Sequence, residues 1–487
     1  MLFQLCLVLL AIFLWFKNRF NYWHKRGFPY VPGKIPLGST PTAGISEHSC
    51  TVFQREYEKF KDRGPAFGVF GMAKPMLVPT DPDLIREIFV KNFEVFHERG
   101  FNISEEADPL SQHLSFKNGQ EWKDLRSKLS QVFSSGKIKM MFPNVMRICD
   151  RMIDYLMPYA EKIEPLEMKD VYCSFTTEVI SDCAFGITAD CLGNPDNEFK
   201  KCAKKIFEPT AFEMIKLMLI ISFESVGEFF KIGFNGKEVT DFIMKVVRQT
   251  LDYREKNNVE RNDFFQLLMN MKKTGDMTFN DIAANSFVFF LAGFETSSSV
   301  MTFSTYELAL NQDIQDRLRT EINEVIAKHN GEVTYESIME MKYLDMVFNE
   351  SLRKYPVVDF QIRQSVKDFP IANTNLVIPA KTMIIVPVHA IHNDEKYYEN
   401  PDKFDPERFT DENVKKRHPF TYLPFSHGPR TCIGMRFGTL QTKIGLIKLL
   451  RNFRILPCSK TIIPMKFSPN AQFQSPLGGM WLKLEKI

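Results

Sequence analysis

Pro424-Phe-Ser-His-Gly-Pro-Arg-Thr-Cys432-Ile-Gly-Met-Arg-Phe437 sets one cysteine in a Gly/Pro-rich loop, directly before an amphipathic pattern that predicts a helix from about 433 to 450. Backbone N–H groups at a helix start stabilise a thiolate and lower its pKa, so a cysteine held there is suited to be a nucleophile or a metal ligand. Nucleophilic catalysis needs a positioned base. His427 is close in sequence, but no protease-like signature accompanies it. A lone cysteine before a helix is more often structural, and the loop by itself leaves all three readings open.

Upstream, Thr278-Phe-Asn-Asp281 has the pattern of a capping box and opens a predicted helix that reaches about residue 310. No charge falls between Asp281 and Glu295, so this helix is expected to run through the centre of the protein; the uncharged part is too short to span a membrane. Ala292-Gly-Phe-Glu-Thr296 sits in its middle, where a glycine costs about 1 kcal/mol relative to alanine and needs a compensating gain. Small residues let a helix approach a flat group, and the Thr296 hydroxyl can divert a backbone carbonyl and open the helix locally. Residues 51–63, 82–92, 137–159 and 313–329 also carry apolar residues at threes and fours. Strand-like pieces are few, at 66–78, 383–389 and 480–485. No repeat, low-complexity tract or polar linker divides the body. The expected fold class is α+β, mostly helical, in a single large domain with small β-sheets.

Residues 2–16 are apolar except for Gln4 and are followed by Lys17, Arg19, Lys25 and Arg26, which reads as an N-terminal membrane anchor helix. Phe20, Tyr22 and Trp23 extend it as an interfacial aromatic belt. A cleaved signal peptide would place basic residues before the apolar run and small residues after it, and neither is present. The basic flank keeps the following chain cytosolic by the positive-inside bias. The chain is thereby divided into an anchor over 1–23, a basic and proline-rich connector over 24–40, and the folded body over 41–487. The 62 Lys+Arg against 59 Asp+Glu give a net charge of +3, which argues against nucleic acid as a partner. Nine cysteines without CxxC pairs suggest neither a disulfide framework nor a zinc site. The 45 Phe and 23 Met suit a large apolar ligand pocket.

Phe425-x-x-Gly428-x-Arg430-x-Cys432-x-Gly434 resembles the haem-ligand loop of the cytochrome P-450 monooxygenases, with every signature position matched. The other family motifs follow in order: Trp122-x-x-x-Arg126, Ala292-Gly293-Phe-Glu295-Thr296, Glu350-x-x-Arg353 and Pro406-Glu-Arg-Phe409. The resemblance implies a haem-enclosing catalytic domain that binds haem b, with Cys432 as the axial thiolate ligand of the iron. It implies haem propionate contacts from Trp122, Arg126, Arg363 and Arg430; Trp122 and Arg126, four apart, share a helical face. Phe425, Ala292 and Gly293 are implied as further cofactor contacts, and Glu295 with Thr296 as the acid–alcohol pair that relays protons in oxygen activation. Glu350, Arg353 and Arg408 are implied as a structural triad. Ser426 and His427 stand where the family more often has glycine and an acidic residue.

Pocket-lining regions of the family map onto 101–119, 206–234, 287–294, 357–362 and 473–477, which are rich in Phe, Leu, Ile and Met and imply an apolar small-molecule substrate. Asp359 is expected to face solvent, with contact to a cationic amine as the sharper alternative. Residues 214–230 read either as a segment dipping into membrane lipid or as core. The chain has no GxGxxG turn in a βαβ setting and no iron–sulfur cysteine cluster, so its electrons come from elsewhere. The resemblance implies an NADPH-cytochrome P-450 reductase, hence NADPH indirectly, with cytochrome b5 as a further donor and the endoplasmic reticulum membrane as location, the catalytic domain on its cytosolic face. Lys123, Lys128, Lys415, Lys416 and Arg417 are candidates for the basic docking face. The wording from Cys432 to Leu446 and the C-terminal Gly-Gly-Met-Trp-Leu-Lys most resemble insect microsomal members associated with xenobiotic detoxification. Two rivals are a reductase-independent haem isomerase or dehydratase acting on peroxides, which Glu295-Thr296 disfavours, and a non-catalytic haem-binding sensor.

Overall fold

The structure is a computed structural model of residues 1–487, described here except at 102, 195, 208–209, 211–212, 214–215, 217–219, 221, 224–228 and 262. Most of the 214–230 segment therefore lies outside the described residues. The architecture is helical with small sheets, as the periodicity implies. Its axis is the helix Phe279–Leu310. The capping box forms there: the Asp281 N–H donates to Thr278 Oγ1 at 3.1 Å and the Thr278 N–H to Asp281 Oδ2 at 2.9 Å. The uncharged stretch is buried against the helix Met168–Phe185, and a Cβ on Gly293 would stand 2.3 Å from Ile180 Cδ1. The compensation for a mid-helix glycine is this close helix–helix approach.

The helix Met435–Asn452 follows the cysteine loop and packs on the same axis, with the Phe437 and Phe289 rings 6.0 Å apart. A four-stranded sheet lies to one side: the hairpin Ala66–Gly71 with Lys74–Pro79, then Met383–Val386 parallel to the hairpin's second strand, then Gln361–Gln364 antiparallel at the edge. The register pairs Arg363 with Ile384. The strand expected over 383–389 stops at Val386, because Pro387 has no N–H for a ladder, and Val388–His392 is helical instead. A three-stranded sheet of Leu166–Glu167, Trp481–Lys486 and Phe453–Pro457 joins the C-terminus to the helical layer.

The N-terminal helix Leu2–Arg19 is exposed along its apolar length except at Phe16, and the span Leu2–Arg26 is long and apolar enough to cross a membrane. Its end is welded to the body. Phe16 meets Phe20 at 5.7 Å, Phe20 meets Phe70 of the hairpin at 5.0 Å, and Arg19 Nε donates to the Ala73 carbonyl at 3.2 Å. Trp23 is not part of an exposed interfacial belt: it is fully buried and donates Nε1–H to the Val69 carbonyl at 3.2 Å. The proline-rich segment beyond it runs along the hairpin, bridged at Tyr30–Gly68 and Gly38–Gly71.

Candidate functional site

Gly428 sets the course of the cysteine loop. Its φ is +75°, and a Cβ there would lie 2.1 Å from the Phe89 carbonyl oxygen, so only glycine fits. The Thr431 N–H then donates to the Gly428 carbonyl at 3.0 Å and the Cys432 N–H to that of Phe425 at 2.9 Å, which turns the thiol onto the N-terminus of Met435–Asn452. The backbone N–H groups of Gly434 and Met435 reach Cys432 Sγ, with Arg126 and Arg99 nearby. Burial is the largest influence and pushes the thiol up, outweighing those N–H groups and guanidiniums that hold it down, so the chain alone does not give the low pKa expected from the helix start. A coordinated cation is what holds such a thiolate ionised. Cys432 is nonetheless exposed within dense surroundings, as a side chain on the wall of a recess would be. His427 is no base for it: its Nε2 contacts the Tyr422 carbonyl at 3.1 Å and its ring lies 4.8 Å from Phe420.

The central helix presents an accessible strip to the recess. Ala292 is exposed and Leu291, Gly293 and Thr296 are partly so, on a helix buried from Ile282 to Ala309 at every other position but Val288, between Phe289 against Phe437 and Ser297, whose Oγ lies 3.6 Å from a Cβ built on Gly438. Thr296 Oγ1 donates to the Ala292 carbonyl at 2.6 Å, while the helix stays continuous through the motif with no local opening. Glu295 points elsewhere: its Oε1 accepts from Lys169 Nζ at 2.9 Å and from Ser299 Oγ at 3.4 Å, and Cys173 Sγ lies 3.9 Å from Oε2. The two residues are neighbours in sequence on different faces, and the structure does not bring their side chains together.

Four guanidiniums converge beside Cys432 without a carboxylate partner among the described residues. Arg363, on the sheet edge, donates Nη1 to the Ile362 carbonyl at 2.8 Å and Nη2 to Ser426 Oγ at 3.0 Å. Arg430, stacked 4.2 Å from the Trp122 ring centroid, donates to the His97 and Lys117 carbonyls at 2.7 and 2.9 Å. Arg126 shares the helix Gly119–Ser130 with Trp122. Arg99, from an irregular segment that sequence periodicity passes over, is the fourth; only its shared charge with the motif arginines marks it. Arg99 Nε, Arg363 Nε and Arg430 Nη1 are buried without hydrogen-bond partners. Burial first, then mutual repulsion with Arg99 and Arg126, brings Arg430 down to about 9; burial, Arg99 and Arg430 hold Arg363 well below the usual guanidinium range. Such a cluster calls for dianionic ligand charge, and the two propionates of haem b fit it, as a thiolate beside it fits the iron. Ser426, at φ +64°, accepts from Arg363 where a glycine could not.

Aromatic contacts join the expected pocket segments: Phe101 with Phe116 at 4.9 Å, His113 with Phe287 at 6.4 Å, Phe207 with Phe294 at 5.2 Å and with Phe473 at 5.3 Å. Phe425 packs against Val300, Phe348, Leu352 and Val357. Contrary to expectation, Asp359 does not face solvent; it is buried and accepts from Ser49 Oγ at 2.8 Å. Glu350 and Arg353 form a fully buried bidentate pair at 2.8 and 2.9 Å, with Arg408 Nε 3.5 Å from Glu350 Oε1. Of the basic residues, Lys123, Lys415 and Lys416 are exposed, Lys128 is paired with Asp276 at 2.7 Å, and Arg417 covers the Tyr398 ring.

The profile of the family described as Cytochrome P-450 matches residues 36–482, a span that holds the loop, the strip and the arginine cluster. Among known proteins the chain is 40% identical over 484 residues to probable cytochrome P-450 6a13 of Drosophila melanogaster, covering 98% of this chain and 97% of that one. It is 39% identical over 492 residues to cytochrome P-450 6A1 of Musca domestica, covering 99% and 97%, and 38% identical over 507 residues to cytochrome P-450 6a2 of Drosophila melanogaster, covering all of both chains. With a cysteine poised at a recess, an unneutralised cradle for two carboxylates, and likeness along the whole length, the chain belongs to the cytochrome P-450 family of haem-thiolate monooxygenases.

Proposed function

We propose that this monooxygenase inserts one oxygen atom from O2 into apolar small molecules, xenobiotics or endogenous lipids and hormones, with electrons from NADPH passed by a separate reductase, at the endoplasmic reticulum membrane. The division into anchor 1–23, connector 24–40 and catalytic domain 41–487 belongs to the same reading. In it, Cys432 holds the iron, Arg99, Arg126, Arg363 and Arg430 with Trp122 hold the propionates, and Phe425, Ala292 and Gly293 bound the cofactor. Bound there, haem supplies the activation of dioxygen and the transfer of its oxygen atom. Thr296 holds a hydrogen-bonding hydroxyl on the accessible strip and is the residue positioned to hand on a proton. Glu295, paired with Lys169, serves through the helix or after a change of partner. The apolar rings between the pocket segments favour substrates selected by shape. The exposed Lys123, Lys415 and Lys416 suit an acidic reductase face, with cytochrome b5 as a further donor.

The observation that carries this reading is the unpaired arginine cluster beside Cys432. Its test is spectroscopic. Reduced protein with carbon monoxide should show the red-shifted Soret band of thiolate-ligated haem, and Cys432→Ser should abolish it; a Ser variant that keeps the band overturns the assignment. Reconstitution with reductase and a mixed apolar substrate panel should consume NADPH and give products one oxygen heavier. Turnover without NADPH would instead favour an isomerase.

A further inference from the structure

At the start of the helix Ser49–Phe60, polar side chains from distant segments meet in the interior. His48 and Cys50 are each 2% exposed, Asp359 is 4% exposed and Gln474 is fully buried. His48 Nδ1 lies 3.0 Å from Cys50 Sγ and 3.9 Å from Asp359 Oδ2, and one ligand atom from each of the three residues falls within 4.8 Å of the others. The Gln474 amide nitrogen lies 2.7 Å from His389 Nδ1, and the same amide reaches the Cys50 thiol. Gln474 Oε1 is left buried without a partner. A buried carboxamide oxygen with nothing to accept costs stability, and its side chain is hydrogen-bonded to Cys50, one of the three candidate ligands.

The spacing suits one ion. Donors bound tetrahedrally at about 2.0–2.3 Å lie roughly 3.3–3.8 Å from one another, close to the 3.0 and 3.9 Å found here. One thiol, one imidazole and oxygens are the donor mixture of a borderline-soft late first-row cation, whereas magnesium and calcium take oxygens alone. We propose that His48 Nδ1, Cys50 Sγ and an Asp359 carboxylate oxygen, with Gln474 Oε1 as fourth donor, form a structural zinc(II) site separate from the haem centre. Binding displaces the Cys50 thiol proton to solvent and takes the imidazole lone pair now shared with the Cys50 N–H at 3.2 Å. The outer partners are in place: Ser49 Oγ donates to Asp359 Oδ2 at 2.8 Å, and the His389 N–H donates to the Asp359 carbonyl at 3.0 Å.

The site ties together segments that matter to the recess. Asp359 precedes Arg363 by four residues, and Gln474 follows Phe473, whose ring meets Phe207. A cation here clamps the 357–362 wall and the C-terminal loop to the first turn of Ser49–Phe60. Sequence spacing gave no hint, because Cys50 and Asp359 lie in segments far apart along the chain.

The test uses untagged, full-length, haem-loaded protein expressed with added zinc sulfate and passed over a chelating resin. Metal analysis should return about one zinc per haem iron in the wild type and about a tenth of that or less in Cys50→Ser/Asp359→Asn. Zinc-edge X-ray absorption of the wild type should show one sulfur at about 2.3 Å with nitrogen and oxygen at about 2.0 Å. Zinc below about a tenth per haem in the wild type overturns the proposal, and so does a zinc shell without sulfur. A sulfur shell that survives Cys50→Ser also overturns it. The wild-type spectrum decides alone if the double variant does not fold. None of these readouts depends on turnover, so the carbon monoxide band can fail or succeed independently.

Discussion

Replacing Arg363 with methionine should move the haem-loaded and haem-free proteins in opposite directions. The side chain is almost wholly buried on the sheet edge, spends Nη1 and Nη2 on the Ile362 carbonyl and Ser426 Oγ, and leaves Nε without a partner. A hydrogen bond to a charged group is worth about 1.5–3 kcal/mol, and with tenfold per 1.4 kcal/mol, haem retention should weaken by about 10- to 150-fold. In the haem-free chain the same guanidinium is a buried charge crowded by Arg99 and Arg430, so its removal relieves repulsion. Methionine fills similar space without charge. Haem loss is measured as transfer to excess apomyoglobin, followed at the Soret band, and thermal unfolding of haem-stripped protein is followed by circular dichroism. The expected pair is faster haem loss with an unchanged or higher haem-free midpoint. Haem loss within about threefold of wild type, or a fall in both states, would refute the propionate role and leave Arg363 as a packing residue.

Thr296→Ala should keep haem and substrate binding but divert NADPH electrons to hydrogen peroxide, lowering product per NADPH by up to about 100-fold; an unchanged ratio would return Thr296 to a packing role. Glu350→Ala strands the buried Arg353 and should cost about 3–5 kcal/mol, read as loss of haem-loaded protein; normal haem content at wild-type yield would contradict this. Burial brings His113 and His392 each down to about 3, with Arg99 and Arg353 respectively adding to it, and each ring accepts a backbone N–H, from Ser115 at 3.2 Å and Leu423 at 2.7 Å. The unfolded chain takes up these protons near pH 6.5 and the fold refuses them. Stability is therefore present above about 6.5 and falls as pH drops toward 3, by about 1.4 kcal/mol per pH unit for each histidine. His113→Phe should flatten the urea midpoint against pH by one proton, and an unaltered slope would count against the buried-neutral histidine.

What could be read from the sequence is local chemistry with a fixed spacing. The capping box at Thr278 and Asp281 and the turn before Cys432 are decided within a few residues, and both form. Pro387 announced the end of its strand, and the β-branched run before it masked the signal. Long-range partners were not legible. Nothing near Glu295 predicts Lys169 on another helix, nothing near Asp359 predicts Ser49, and Gly293 proved to serve Ile180 as well as any cofactor. Arg99 escaped because it lies in an irregular loop, where neither period nor motif frames a residue, and only the assembled field around Cys432 identifies it.

The welded end of the N-terminal helix has a mechanical meaning. Eighteen residues give a rod of about 27 Å, a little short of a hydrocarbon layer of about 30 Å, and mismatch of that kind is absorbed by thinning the bilayer, while surplus length is absorbed by tilt. Phe20, Arg19 and Trp23 all grip the hairpin, and Phe16 packs on Phe20, so the rod and the body pivot as one piece. With this helix as the proposed anchor, the posture of the body above the lipid is dictated by the thickness of the host membrane and not by the slack of a tether.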